Sequence, residues 1–346
     1  MFFRLIRRKI YKVDNKLVYT ILLLFFILFS SYIIQVIEPE TFASYSTALW
    51  WVMTTVTTVG YGDISPVTVA GQLFAMTAVY IIGIGLMGVF IGYIVDTIQE
   101  YRKNKEEGKL KYKDFNHYII INYTKRSKDT IEELLNIHED KDIVLIDESL
   151  DRTPIKHDRI HFISGNPANP RTLYQANINE CHSVLIFASD HVENYSLSDG
   201  QTLLIATTIE GLGHQEGFDV YTIAEILFEQ HISAFKHSKV DEFITPNKTS
   251  AHLIAKSATY NGTSEMFRQL TSSNYGDDIF AIKKHPTWST YRDAYIYLLD
   301  RGATLLSAEN QLDIAKRADE SIPDDTELLI ICNQENYDKI VQELAV

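Results

Sequence analysis

Two stretches without a charged side chain constrain this 346-residue chain more than any other feature. Leu17 to Ile37 and Gly71 to Val95 contain no Asp, Glu, Lys or Arg and are rich in Leu, Ile, Val and Phe. A helix rises about 1.5 Å per residue, so about 20 such residues cross the hydrocarbon of a bilayer. The first run is longer than the apolar core of a cleaved secretory signal and no small-x-small cleavage site follows it, so it reads as a true span. Arg4, Arg7, Arg8, Lys9, Lys12 and Lys16 precede the first span, and Arg102, Lys103 and Lys105 follow the second. Residues 38–70 carry Glu38, Glu40 and Asp63 but no Lys or Arg. The positive-inside rule then makes this a multi-pass protein of the cell membrane, with both termini cytoplasmic and the intervening loop outside. Neither span has Arg or Lys at every third position, so a voltage sensor is not expected.

Within that outer loop lies Thr58-Val59-Gly60-Tyr61-Gly62-Asp63. Carbonyls that replace the hydration shell of K⁺ must point in one direction from successive residues, which asks for backbone angles an ordinary L-residue resists. Gly60 and Gly62 supply that freedom. The carbonyls of Thr58, Val59, Gly60 and Tyr61, with the Thr58 hydroxyl, form the expected K⁺ ligands, while Val59 and Tyr61 side chains wedge outward. A Gly-x-Gly pair alone would read as a turn between strands; the six-residue match between two spans reads as a selectivity filter. The loop is expected to form a helix over 44–56 and then return through the filter. Non-helical backbone at membrane depth is tolerated only inside protein or along water. One chain supplies one such loop, so a ring of carbonyls requires a homotetramer.

From Ala48-Leu49-Trp50-Trp51 to Asp63-Ile64-Ser65-Pro66 the chain resembles prokaryotic two-span potassium channels that carry a cytoplasmic RCK (regulator of K⁺ conductance) domain. The resemblance implies that Trp51 donates its indole N–H to Asp63 behind the filter, interfacial anchoring being the alternative reading of that indole. Thr54 stands where some relatives place a carboxylate beside that aspartate, so a carboxyl–carboxylate lock is not expected. Gly83, Gly85, Gly88 and Gly92 line the second span, and close helix packing explains such residues in a membrane. Gly83 also sits nearest the family's gating hinge, with the count from Gly71 running one residue long.

Beyond a polar linker at 99–115 the apolar runs become short. His117–Ile121, Ile143–Ile146, Ile160–Ile163, Val184–Phe187, Val220–Ile223 and Val240–Ile244 read as buried strands. Lys128–Ile137, Arg171–Ala176 and Ser196–Ile209 read as helices between them. Such alternation implies a doubly wound parallel sheet, the fold the resemblance implies for an RCK N-lobe over 116–245. Gly165-Asn166-Pro167 and Ala224-Glu225 match that lobe's landmarks. Residues 246–275 read as a helical region with a break at Gly262, packed within the chain or, by resemblance, crossing to a partner. Residues 276–346 resemble the RCK C-terminal lobe, marked by Ser321 to Ile331 with Asp324 in place of a turn glycine. The expected fold class is therefore an α-helical membrane pore of two spans plus a re-entrant pore helix, at 1–98. It is joined to an α/β Rossmann-like RCK domain with a smaller α+β C-terminal lobe.

The regulatory ligand is where this chain departs from the family it resembles. Asn122-Tyr123-Thr124-Lys125-Arg126-Ser127 follows the first strand without one glycine, which argues against NAD in the usual mode. Lys125 and Arg126 read as a solvated basic turn or an anion site. Asp147 stands where a ribose-binding acid would lie. Ca²⁺ wants six to eight oxygens, and Glu225, Asp190 and Glu193 are candidates, although Leu227 replaces a second acid near Glu225. Ca²⁺ and a nucleotide both remain open as the intracellular ligand. The excess of 45 Asp and Glu over 32 Lys and Arg argues against nucleic acid as a partner. Cys181 and Cys332 form no metal motif. No catalytic constellation appears, so the expectation is a gated K⁺ channel rather than an enzyme. A nonconducting K⁺-sensing subunit and a membrane-tethered oxidoreductase are the alternatives.

Overall fold

The computed structural model describes residues 15–137, 140–190, 194–272, 275–309 and 311–344. The chain divides into two compact units, residues 1–104 and 105–346.

In the first unit, helix α1 (Asn15–Ile37) and helix α3 (Val69–Glu106) are long and apolar enough to cross a membrane. Between them α2 (Tyr45–Val56) is capped by Ser44, whose hydroxyl accepts the Thr47 N–H at 3.2 Å. The core is built from one stripe of each helix, with Leu23, Ile27 and Ile34 against Val52, Val56, Ala75 and Val79. Gly83 marks the tightest approach, since an added Cβ would lie 2.7 Å from Val56 and 3.0 Å from Phe26. Its lack of a side chain is thus used for packing in this conformation. The segment Ala75–Gly83 is π-helical, which accommodates an extra residue in the span. The outward residues of α1, among them Ile21, Phe25 and Phe29, are exposed, as lipid-facing or chain-facing positions should be.

In the second unit six strands form one parallel sheet in the order β3-β2-β1-β4-β5-β6. They are β1 (Tyr118–Ile121), β2 (Ile143–Asp147), β3 (Ile160–Ser164), β4 (Ser183–Ile186), β5 (Tyr221–Glu225) and β6 (Glu242–Ile244). β1 and β2 are buried throughout, as strands covered on both faces must be. The helices α4 (Lys125–Ile137), α5 (Pro170–Gln175), α6 (Tyr195–Glu216) and α7 (Ile232–Lys236) connect them. The order reverses beside β1, so the carboxyl ends of β1 and β4 flank the crevice where such sheets bind ligands. Helices α8 (Pro246–Thr259) and α9 (Thr263–Leu270) flank Gly262, where φ is +89°. Antiparallel strands β7 (Asp277–Lys283), β9 (Glu327–Asn333) and β8 (Thr304–Ala308) then pack with α10 (Tyr291–Leu299) and α11 (Gln334–Leu344). In the turn before β9 it is Asp325, not Asp324, that takes a positive φ of 64°; Asp324 accepts the Lys284 ammonium at 2.7 Å.

Residues 106–116 form a strap that starts beside the carboxyl end of β3, passes His161 and ends just before β1. Glu106 and Gly108 pair with Thr153 and Ser164 through backbone bonds, and Tyr112 donates to the Gln175 carbonyl at 2.8 Å. Two histidines fasten the strap, His161 Nε2 to the Leu110 carbonyl and His117 Nε2 to the Ala176 carbonyl, both at 2.8 Å. A carbonyl can only accept, so each neutral ring carries its proton on Nε2. Tyr112 packs between them and donates to Asp142 at 2.9 Å. Burial lowers the pKa of both histidines, opposed by Asp142 near both and by Asp114 near His117. A ring that is harder to protonate folded than unfolded stabilises fully above its unfolded value of about 6.5 and loses that contribution as pH falls below it. The melting temperature is therefore expected to drop from neutral to mildly acidic pH, and His117→Gln with His161→Gln to flatten that dependence. At Gly108, where φ is +66° and a Cβ would meet Ser164 N at 2.3 Å, substitution by Ala should cost roughly 1–3 kcal/mol in chemical denaturation.

Candidate functional sites at the loop between the spans and at the strand ends

Helix α2 ends on Val56, and the chain turns back immediately. The Thr54 carbonyl accepts the N–H groups of Val59 and Gly60 at 2.9 and 3.0 Å. Across a trans peptide the C=O and N–H point in opposite directions. Committing these two N–H groups to the helix turns the carbonyls of Thr58 and Val59 away from it. The backbone takes positive φ at every second residue, 61° at Thr58, 54° at Gly60 and 72° at Gly62. Thr58 is β-branched, so its left-handed angle is a strained one. No Cβ at Gly60 or Gly62 would meet another atom within the chain, so their requirement is conformational.

The brace behind this segment is Trp50, not Trp51. Trp50 Nε1 donates to Asp63 Oδ2 at 2.9 Å, and its ring stacks on Tyr61 with centroids 5.6 Å apart. Trp51 is buried against Phe42 on a different face of α2. Neighbouring helix positions diverge by about 100°, so only one of the two indoles can face the returning loop. Asp63 Oδ1 also accepts the Ile64 N–H. Thr54 turns its hydroxyl back onto the carbonyls of Trp50 and Trp51 at 3.0 Å, leaving its own carbonyl for the loop.

Glu38, in the acidic loop between the spans, is 3% exposed. Oε1 accepts from Thr41 Oγ1, Val67 N and Thr68 N at 2.9, 2.8 and 3.1 Å, and Oε2 from Thr68 Oγ1 at 3.3 Å. It thereby pins the start of α3 beside the end of α1. A Cβ at Gly71 would meet Oε2 at 2.3 Å, so this carboxylate dictates that glycine. Burial opposes ionisation of Glu38, but the donors from Val67, Thr41 and Thr68 outweigh it and hold its carboxyl below the ordinary range.

In the second unit, a cleft of about 280 Å³ lies at the carboxyl ends of the strands, lined by Asn122, Asp147, Ser149, Asn166 and Gln201 among others. Asp147 does reach it, but its oxygens are already committed, Oδ2 to Tyr123 N and Oδ1 to Ser149 N and Oγ, all at 2.7 Å. The helix start that would cradle a phosphate is likewise closed. Thr124 N donates to Ser127 Oγ at 2.7 Å while Ser127 N donates to Thr124 Oγ1 at 3.1 Å. This reciprocal cap begins α4 at Lys125, earlier than the apolar pattern alone places it. Asp190 and Glu225 are brought together, but around Arg126. That arginine is therefore not a solvated turn residue. Glu193 lies outside the described residues. Asp199, which the sequence pattern did not single out, is 2% exposed. It accepts the N–H groups of Leu227 and Phe228 at 2.8 and 3.0 Å and bonds His231 Nδ1 at 2.7 Å. Its carboxylate holds the loop after β5.

Trp50→Phe removes an indole donor to a charged acceptor, a bond worth about 1.5–3 kcal/mol. It should lower the thermal stability of the assembled protein in K⁺ and its ion flux, whereas Trp51→Phe should spare the flux. Because the carboxyl of Glu38 titrates lower in the fold, its contribution is full above about 4.3 and lost as pH falls through the depressed value. Glu38→Gln should therefore be destabilised at neutral pH and level with the parent in acid, as read by melting temperature.

Comparisons with known proteins agree with both units. Residues 20–100 match the model of an ion channel family, and residues 115–245 that of the calcium-activated potassium channel slowpoke-like RCK domain. YugO of Bacillus subtilis, described as a potassium channel protein, is 26% identical over 84% of this chain and 87% of its own. The calcium-gated potassium channel TvoK of Thermoplasma volcanium is 30% identical over 69% of this chain and 67% of its own. Among solved structures, a GsuK channel bound to NAD aligns with 93% of this chain and 59% of that one, at 15% identity and a TM-score of 0.47. With two membrane-length helices, a filter-like loop between them and a parallel Rossmann-like sheet in one sequence, the chain belongs to the potassium channels that carry an RCK domain.

Proposed function

We propose that four copies of this chain form a K⁺-selective pore in the cell membrane, with both termini in the cytoplasm. In this reading an intracellular ligand acts on a ring of RCK domains and biases the pore between closed and open. The observation that carries it is the anchoring of the Val59 and Gly60 N–H groups on the Thr54 carbonyl, which leaves carbonyls directed off the helix. Val59 and Tyr61 are 53% and 67% exposed in one chain. Such apolar side chains at membrane depth need neighbours, and copies of the same loop supply them. The carbonyls of Thr58, Val59, Gly60 and Tyr61 then stand in for the water around K⁺.

Gating follows from linkage. A ligand shifts the ring only by as much as it prefers one conformation over the other. The strap at 106–116 leads from α3 into the sheet and is the covalent path for that preference; bending at Gly83 would give the inner helix its second position. No step of chemistry on a substrate is required, consistent with relatives that are ion channels. In liposomes, the purified protein should pass K⁺ faster than Na⁺ by more than about tenfold, a barrier difference of ~1.4 kcal/mol. Equal rates for both ions would refute the reading, and a K⁺-binding but non-conducting tetramer would favour a sensor subunit.

A further inference from the structure

The cluster at the ends of β4 and β5 contains a cation of its own. Arg126 Nη2 donates to the Ala188 carbonyl at 3.3 Å, to Asp190 Oδ1 at 3.0 Å and to Glu225 Oε2 at 3.2 Å. Its Nε lies 2.5 Å from Glu225 Oε1, an ion-pair contact not aligned as a hydrogen bond. Glu225 Oε2 in turn accepts the Ala188 N–H at 2.8 Å. The Glu225 side chain is 6% exposed, whereas Arg126 and Asp190 are 40% and 43% exposed. A buried carboxylate of this kind requires a counter-charge, and here a side chain from the first turn of α4 provides it.

Two carboxylates and a carbonyl converging on one positive group are the donors a hard divalent cation would use. A guanidinium in their midst excludes such an ion by occupancy and by like charge. It also ties the β1–α4 turn to the loops after β4 and β5. We propose that Arg126 is the built-in cation of this lobe. It closes the Asp190–Glu225 pair against divalent ions and holds the three strand ends in the arrangement a bound metal would otherwise impose. Gating by Ca²⁺ through this pair is therefore shut off in this chain, and whatever ligand acts on the ring acts elsewhere. The inference deepens the ring-gating reading and rests on it.

The test uses the full-length protein, with CaCl₂ as probe and two readouts, melting temperature and K⁺ flux in liposomes. The parent should show no Ca²⁺-dependent change in either. Arg126→Gln should melt lower than the parent and regain part of the loss in millimolar Ca²⁺. That recovery should vanish in the double variant Arg126→Gln/Glu225→Gln. Arg126→Lys, which keeps the charge, should stay insensitive to Ca²⁺. If Arg126→Gln does not assemble, the parent and Arg126→Lys still decide. A Ca²⁺ response in the parent that Glu225→Gln abolishes would overturn the proposal, as would an Arg126→Gln protein as stable as the parent without any divalent ion. Retained preference for K⁺ over Na⁺ in every variant separates this outcome from a failure of the pore reading.

Discussion

In the loop between the two spans one acceptor carries two backbone donors. The Thr54 carbonyl takes the N–H groups of both Val59 and Gly60, and the rest of the pore unit is arranged so that it can. Thr54 satisfies its hydroxyl on the preceding turn, Ser44 starts the helix, and Trp50 and Glu38 hold the loop at its middle and its far end. The consequence is a row of carbonyls to which no hydrogen bond runs from the described residues. Peptide oxygens are costly to leave bare where water is scarce. In the proposed assembly a desolvated cation shared among several such loops would offset that cost, and ion selectivity, assembly and the backbone at Thr58 would share one cause.

The second unit follows the opposite strategy. Its strand ends gather polar groups at the place where doubly wound sheets bind ligands, yet most of these groups are already paired with one another. Asp147 serves its neighbouring turns, Thr124 and Ser127 cap their own helix, Asp199 holds the loop after β5, and Arg126 neutralises Glu225. This lobe is organised by internal contacts. The cleft that remains offers amide and hydroxyl groups from Asn122, Asn166, Gln201 and Ser149, a surface better suited to neutral polar chemistry than to a phosphate.

Much of this was legible in the sequence because the governing forces are local. Uncharged runs announce α1 and α3, four- to five-residue apolar blocks announce the buried strands, and the glycine alternation announces the filter-like turn. The losses are equally physical. Trp50 and Trp51 are adjacent and chemically identical, so only helix phase decides which indole meets Asp63. Glu38 and Arg126 looked like ordinary loop charges because their partners lie about thirty to a hundred residues away. One signal was available for α4, the Thr and Ser three apart at 124 and 127, which is a capping pair on its face. For Arg126 the only hint was that Glu225 ends a buried strand and so needed a cation from somewhere.

A density map of the full-length protein in lipid nanodiscs, prepared in K⁺, tests the central claim most directly. The account requires fourfold symmetry about an axis lined by the carbonyls of Thr58, Val59, Gly60 and Tyr61, with ion density between successive rings. Chains that associate with these carbonyls facing lipid or their own protein interior, or an axis without ions, would contradict it.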